Sequence, residues 1–174
     1  MKPRITGLSI FALLSAILSV AKAVECPDNW ITFHGHCYTF SINQTNWFHA
    51  AKTCHDLGAQ LVIIETDVED AFLKTTIQHL HAHDDPQTVG YWTGANDLDV
   101  EGHWVWGYPS DIVVRYTDWH AGEPNNNWAG KPEDCVVLWG QFNFGYQWND
   151  QTCSNVDYHY ICELGPGYEL EVVG

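Results

Sequence analysis

Residues 123–135 read E-P-N-N-N-W-A-G-K-P-E-D-C, and W-N-D follows at Trp148, Asn149 and Asp150. These segments hold five side chains, Glu123, Asn125, Glu133, Asn149 and Asp150, that present only carboxylate or amide oxygens as ligands. Such hard ligands suit calcium, and the nitrogen and sulfur ligands favoured by zinc or copper are absent from the set. With the backbone carbonyl of Asp150 added, an ion receives about six protein oxygens and keeps roughly two places in a shell of about 6–8. Two adjacent hydroxyls of a sugar fit those places.

Hydrogen-bond polarity explains why acids and amides are mixed. A hydroxyl held by the ion gives it a lone pair, donates its proton to a carboxylate and accepts from an amide NH2, so acceptor and donor side chains must alternate around the sugar. Glu123 and Glu133 accept, whereas Asn125 and Asn149 donate. E-P-N alone is a common turn, since Pro and Asn favour turns for backbone reasons. The three pieces in order, with Cys135 and Cys153 before and after W-N-D, carry the reading.

E-P-N, then E-D-C, then W-N-D between cysteines resembles the C-type lectin domain, and the likeness runs over residues 26–162. The resemblance implies an α+β fold of two helices and two small antiparallel sheets with a long calcium-binding loop. It implies a cis bond before Pro124, which a proline permits. It also implies calcium as cofactor, glycans as partners, and a preference for mannose-type sugars with equatorial 3- and 4-hydroxyls, because the galactose type carries Q-P-D instead. By the same likeness, Asp97, Glu101, Asn126 and Asp134 hold an accessory calcium; otherwise Asp97 and Glu101 are ordinary loop solvation. The step from Asn125 to Glu133 is longer than expected of the family and carries Trp128, which either contacts sugar or folds inward to pin the loop.

Residues 1–23 have the form of a secretory signal: Lys2 and Arg4, an apolar run over 5–20, then Ala21-Lys22-Ala23 as cleavage site. The run is shorter than the roughly 20 residues a membrane-spanning helix needs. The expected layout is therefore a leader at 1–23, a lectin domain at 24–163 and a loose tail at 164–174, secreted and without a membrane span. Loss of Lys2, Arg4 and Lys22 makes the chain more acidic than its formal charge of −15, which argues against nucleic acid as a partner. Six cysteines in an oxidising compartment mean a disulfide framework, with 15 pairings open from arithmetic. The resemblance selects Cys26 with Cys37, Cys54 with Cys162, and Cys135 with Cys153.

Residues 26–40 alternate around His34-Gly35-His36 as a hairpin, and Asn43-Gln44-Thr45 is an N-glycosylation sequon at Asn43. Trp47, Ala50, Ala51, Cys54 and Leu57 recur at helical spacing, with Thr45 or Asn46 as cap and Gly58 as stop. Thr66 and Glu69 form a capping box for a second helix whose inner face is Phe72, Leu73, Thr76, Ile77 and Leu80. His79 and His83 would share a face at its end, as a transition-metal pair does, but the helix dipole favours solvated histidines there, and that reading is taken. Residues 91–95, the Trp104/Trp106 alternation, 136–139, and 158–162 are strands, and 142–146 is a turn. Most of the nine tryptophans are core.

The function expected is calcium-dependent carbohydrate binding by a secreted lectin, in innate recognition of microbial glycans. The alternatives are an extracellular biomineral matrix protein and a protein-binding or ice-binding lectin-like domain. One monosaccharide contact is weak, so avidity calls for a homo-oligomer that the sequence does not disclose. An enzyme is the class least supported, since nothing places a nucleophile beside a base.

Overall fold

Capping chemistry sets both helices. The computed structural model describes residues 25–110, 112–127 and 129–165, so the leader at 1–23 and Trp128 lie outside the described residues. Helix α1 (Trp47–Asp56) starts at Asn46, whose side chain accepts the His49 N–H, and turns out at Gly58 with φ +72°. Helix α2 (Asp67–Leu80) starts at Thr66, whose hydroxyl accepts the Glu69 N–H at 3.2 Å. Glu69 does not close the expected box onto Thr66; its carboxylate accepts from the Glu65 N–H and from the Tyr38 hydroxyl, tying α2 to the first hairpin. Leu57 and Leu80, expected on inner faces, are about half exposed because each falls at a helix end that projects past the core.

The strands are β1 (Ile31–Phe33), β2 (His36–Phe40), β3 (Gln60–Leu61), β4 (Gly90–Asn96), β5 (Val105–Trp106), β6 (Cys135–Trp139), β7 (Trp148–Gln151) and β8 (His159–Leu164). The two small antiparallel sheets anticipated from the sequence are joined here by one parallel pair, β4 with β8, through Tyr91 opposite His159 and Trp92 opposite Tyr160. The result is a mixed sheet in the order β1-β2-β8-β4-β6-β7, with β3 also on β8 and β5 also on β4. Leu164, assigned to a loose tail, instead ends β8 opposite Cys37; the rest of that tail from 166 lies outside the described residues.

Strand β4 is buried at all seven positions, as a central strand covered on both faces must be. On one side lie Leu73 and Ile77 of α2 with Tyr38, Tyr91, Leu138, Trp148 and Ile161. On the other lie Trp47, Ala50 and Cys54 of α1 with Trp92, Val137 and Cys162. Burying an aliphatic residue such as Leu73 or Ile77 contributes about 1.5–3 kcal/mol relative to exposure. All three disulfides form in the predicted pairing: Cys26–Cys37, Cys54–Cys162 and Cys135–Cys153.

Between β5 and β6 the chain runs through a long irregular loop, residues 107–134. Its return is rooted on β7: Trp119 bridges Trp148, Asp118 C=O accepts the Trp148 N–H, and His120 N–H donates to Trp148 C=O. That root aims the loop at the outer strands of the sheet.

Candidate calcium and sugar site

The register of β6 against β7 assembles half of the set. Val136 lies opposite Asp150 and Val137 opposite Asn149, and Glu133, just before β6, lies within reach of the Asp150 charge at that end of the hairpin. The Cys135–Cys153 bond braces that end. Glu133, Asn149 and Asp150 are buried, with at most 4% of their surface exposed. The loop supplies the other half from 123–127, where the Glu123–Pro124 peptide bond is cis.

One carboxylate organises the loop. Asp150 accepts the Asn125 N–H at 3.0 Å and the Asn126 N–H at 2.6 Å. Asn125 Nδ2 donates to Glu123 at 2.5 Å, and the Asn127 N–H donates to Glu133 at 3.0 Å and to Asn125 Oδ1 at 2.9 Å. Asn149 Nδ2 donates to the Asp150 carbonyl at 2.5 Å. Glu123 and Asn125 of the loop are thereby linked to Glu133, just before β6, and to Asp150 of β7, while Asn149 precedes Asp150 on that strand and its side chain bonds only to the Asp150 carbonyl.

The four accessory residues meet directly beside them. Asn126 Nδ2 donates to Glu101 at 2.5 Å while its Oδ1 accepts the Glu133 N–H at 2.7 Å, linking the two sets. Asp97 N–H donates to the Asp134 carbonyl, and Asp97 Oδ2 accepts the Gly102 N–H at 2.7 Å. The other oxygen, Asp97 Oδ1, is buried without a hydrogen-bond partner, as is Asn96 Oδ1.

Crowded, desolvated carboxylates oppose their own ionisation. Burial, then the charge of Asp150, pushes Glu133 up to about 7. Burial pushes Asp97 up to about 6 against the Gly102 N–H, with Glu101, Asp134 and Asp150 adding to the rise. Burial and then Asp150 raise both Glu123 and Asp134. As the side chains lie, no three His, Cys, Asp or Glu among the described residues form a group that could hold a metal, because the acids are turned to loop N–H groups and to the amides. The donor set nonetheless fits calcium: hard oxygens only, mutual repulsion that a divalent cation relieves, and a buried carboxylate oxygen lacking a donor.

The remaining predictions fall outside this cluster. Asn43 is exposed, as a sequon must be. Helix α2 ends at Leu80, so His83 is not on the same helix face as His79, and both are exposed. His81 is the engaged histidine, with Nδ1 at 2.6 Å from Asp84 and Nε2 at 2.8 Å from the Tyr91 hydroxyl. Sequence reading also missed Asp70. It is 3% exposed, accepts the Trp148 indole N–H at 3.0 Å and pairs with Lys74, which pairs in turn with Asp118. Its spacing from Leu73 and Ile77 was the available signal, since it puts position 70 on the buried stripe.

Comparison with known proteins bears on the fold and the family. Residues 43–164 match the lectin C-type domain family. A perlucin-like protein of Mytilus galloprovincialis is 37% identical over 158 residues, 91% of this chain and 95% of its own. Among solved structures, the carbohydrate-recognition domain of the mouse scavenger receptor C-type lectin is similar with a TM-score of 0.68 and 30% identity, covering 81% of this chain and 98% of that one. The cow CD23 carbohydrate-recognition domain, solved in the presence of a GlcNAc2Man3 oligosaccharide, gives 0.64 and 32%, covering 80% and 95%. The chain belongs to the C-type lectin family, whose members bind carbohydrate and are not enzymes.

Proposed function

We propose that this protein is a secreted, calcium-dependent lectin for mannose-type sugars, released after removal of residues 1–23 and serving innate recognition of microbial glycans. The observation that carries the reading is the convergence of Glu123, Asn125, Glu133 and Asp150, with Asn149 next to Asp150 on β7. Calcium, when bound, supplies the Lewis-acid surface on which a vicinal diol docks. Glu123 and Glu133 accept the hydroxyl protons, and Asn125 and Asn149 donate to the hydroxyl oxygens. Asp97, Glu101, Asn126 and Asp134 hold a second ion that stiffens the loop. Among the described residues no helix is long and apolar enough to cross a membrane.

The test is retention on mannan-agarose. Binding in calcium, release by EDTA, and competition by mannose but not galactose are expected; retention that ignores EDTA overturns the reading. The acidic composition favours one rival, a matrix protein that meets calcium mineral. Asn125→Asp separates the two, because only sugar binding needs that amide.

A further inference from the structure

The chain after β5 and the residues just before α2 enclose a cavity of about 420 Å³ that none of the proposed calcium ligands lines. One wall is held in place by backbone bonds. The Trp106 N–H donates to the Ile112 carbonyl at 2.9 Å, Val113 bridges Val105, and the Val114 N–H donates to the Trp104 carbonyl at 3.0 Å. With the backbone so fixed, the side chains of Ile112 and Val113 stay 56% and 46% exposed on the cavity. Buried Ile64 and Trp106 line it from within, and Tyr116, whose ring meets Trp148 edge-on at 5.9 Å, closes one side. Small-molecule sites fill roughly 300–1,000 Å³ and combine such apolar walls with a few placed polar groups.

The placed polar groups here are two opposite charges, Arg115 and Glu65. The protein carries 22 acids against 7 Lys and Arg, so a cation has acids in excess to pair with. Lys52 pairs with Asp56, Lys74 with Asp70 and Asp118, and Lys131 is engaged as well. Arg115 makes no ion pair or hydrogen bond among the described residues, even with the Glu65 that shares its cavity. The Glu65 backbone is fixed, its N–H donating to the Glu69 carboxylate at 3.1 Å, while its own carboxylate has no partner among the described residues. Opposite charges that line one cavity without meeting leave both heads to a ligand, and the guanidinium fork suits a carboxylate.

We propose that this cavity binds a short apolar peptide with free ends, its carboxylate on Arg115, its ammonium on Glu65 and its side chains against Ile112, Val113 and Ile64. A zwitterion answers both heads at once. An anion alone would be repelled by Glu65, and a cation alone by Arg115. The apolar walls supply the rest of the binding by removing the peptide's side chains from water. The site does not depend on calcium or sugar, because its wall is rooted on β5 and not on residues 123–127.

The experiment titrates the isotope-labelled protein in EDTA with leucyl-leucine and follows the Trp106 indole N–H by NMR. Wild type is compared with Arg115→Gln and Glu65→Gln; both residues are exposed, and thermal melts check that the variants fold. Wild type is expected to bind with a Kd of about 1 mM. The peptide amide, which lacks the carboxylate, and the N-acetyl peptide, which lacks the ammonium, should each bind about tenfold more weakly. Arg115→Gln should bind the free peptide about tenfold more weakly and no longer tell it from its amide, and Glu65→Gln should no longer tell it from the acetylated form. No binding by wild type at about 10 mM overturns the proposal, as does an Arg115→Gln protein that still prefers the free carboxylate. Glycylglycine, with both ends and no apolar side chains, should not bind, and equal binding of it overturns the role of the apolar walls.

Discussion

Asp150 shows how much one carboxylate can organise. Fully buried, it receives two successive loop N–H groups and sits beside Glu123 and Glu133. Asp150→Asn keeps the shape but removes the charge that both the N–H groups and a cation need. Sugar binding should be lost, with stability lowered by about 1–3 kcal/mol; calcium titration and urea melts measure the two effects. Glu133 gives a pH prediction with a definite sign. In the calcium-free chain it is raised from 4.5 to about 7, so the fold holds the proton more tightly than the unfolded chain does. The stability this confers is complete below about pH 4.5 and is lost as pH rises through 7. Calcium needs the carboxylate ionised, so its affinity should fall by up to about tenfold per pH unit below 7. Thermal melts with EDTA should therefore rise on acidification, while melts in calcium should fall. At this scale the sequence was informative because oxygen donors cluster within short spans. The hydrogen bonds from the Asn125 and Asn126 N–H groups to Asp150 were not readable, since they depend on a fold that places residues 24 or 25 apart side by side.

Helix α2 carries a role beyond packing. Asp70, Lys74 and Asp118 make a chain of partly or fully buried charges, with side chains of Asp70 and Lys74 4% and 15% exposed. It ends on Trp148, the residue before two of the proposed ligands, through the indole N–H and the Asp118 carbonyl. Lys74→Met leaves two carboxylates facing each other without their cation. It should cost about 3–5 kcal/mol by chemical denaturation and also weaken calcium binding, because the same contacts root the loop. Unchanged calcium affinity in a well-folded Lys74→Met protein would show that α2 merely packs. The helices themselves were legible because caps are local chemistry, as at Asn46 and Thr66. Which end residues stay exposed, and the β4–β8 pairing that unites the sheets, were not legible, because they follow from how elements dock across long sequence separation.

The whole molecule is held by crosslinks of unequal reach. Cys54–Cys162 closes a loop of 108 residues and Cys26–Cys37 one of 11. On loop entropy alone, replacing Cys54 and Cys162 by alanine costs about 4–5 kcal/mol, and replacing Cys26 and Cys37 about 2–3. Denaturant midpoints of the two double variants should fall in that order. The two halves of the sheet also differ in what they carry. Strands β2 and β8, from near the two limits of the described chain, lie side by side, Cys37 opposite Leu164. The proposed ligands stand across the sheet, by β6 and β7. A scaffold attached near residue 25 or 165 thus grips the domain by its back, and copies mounted on a surface in that way would all present their loops outward to the same glycan coat.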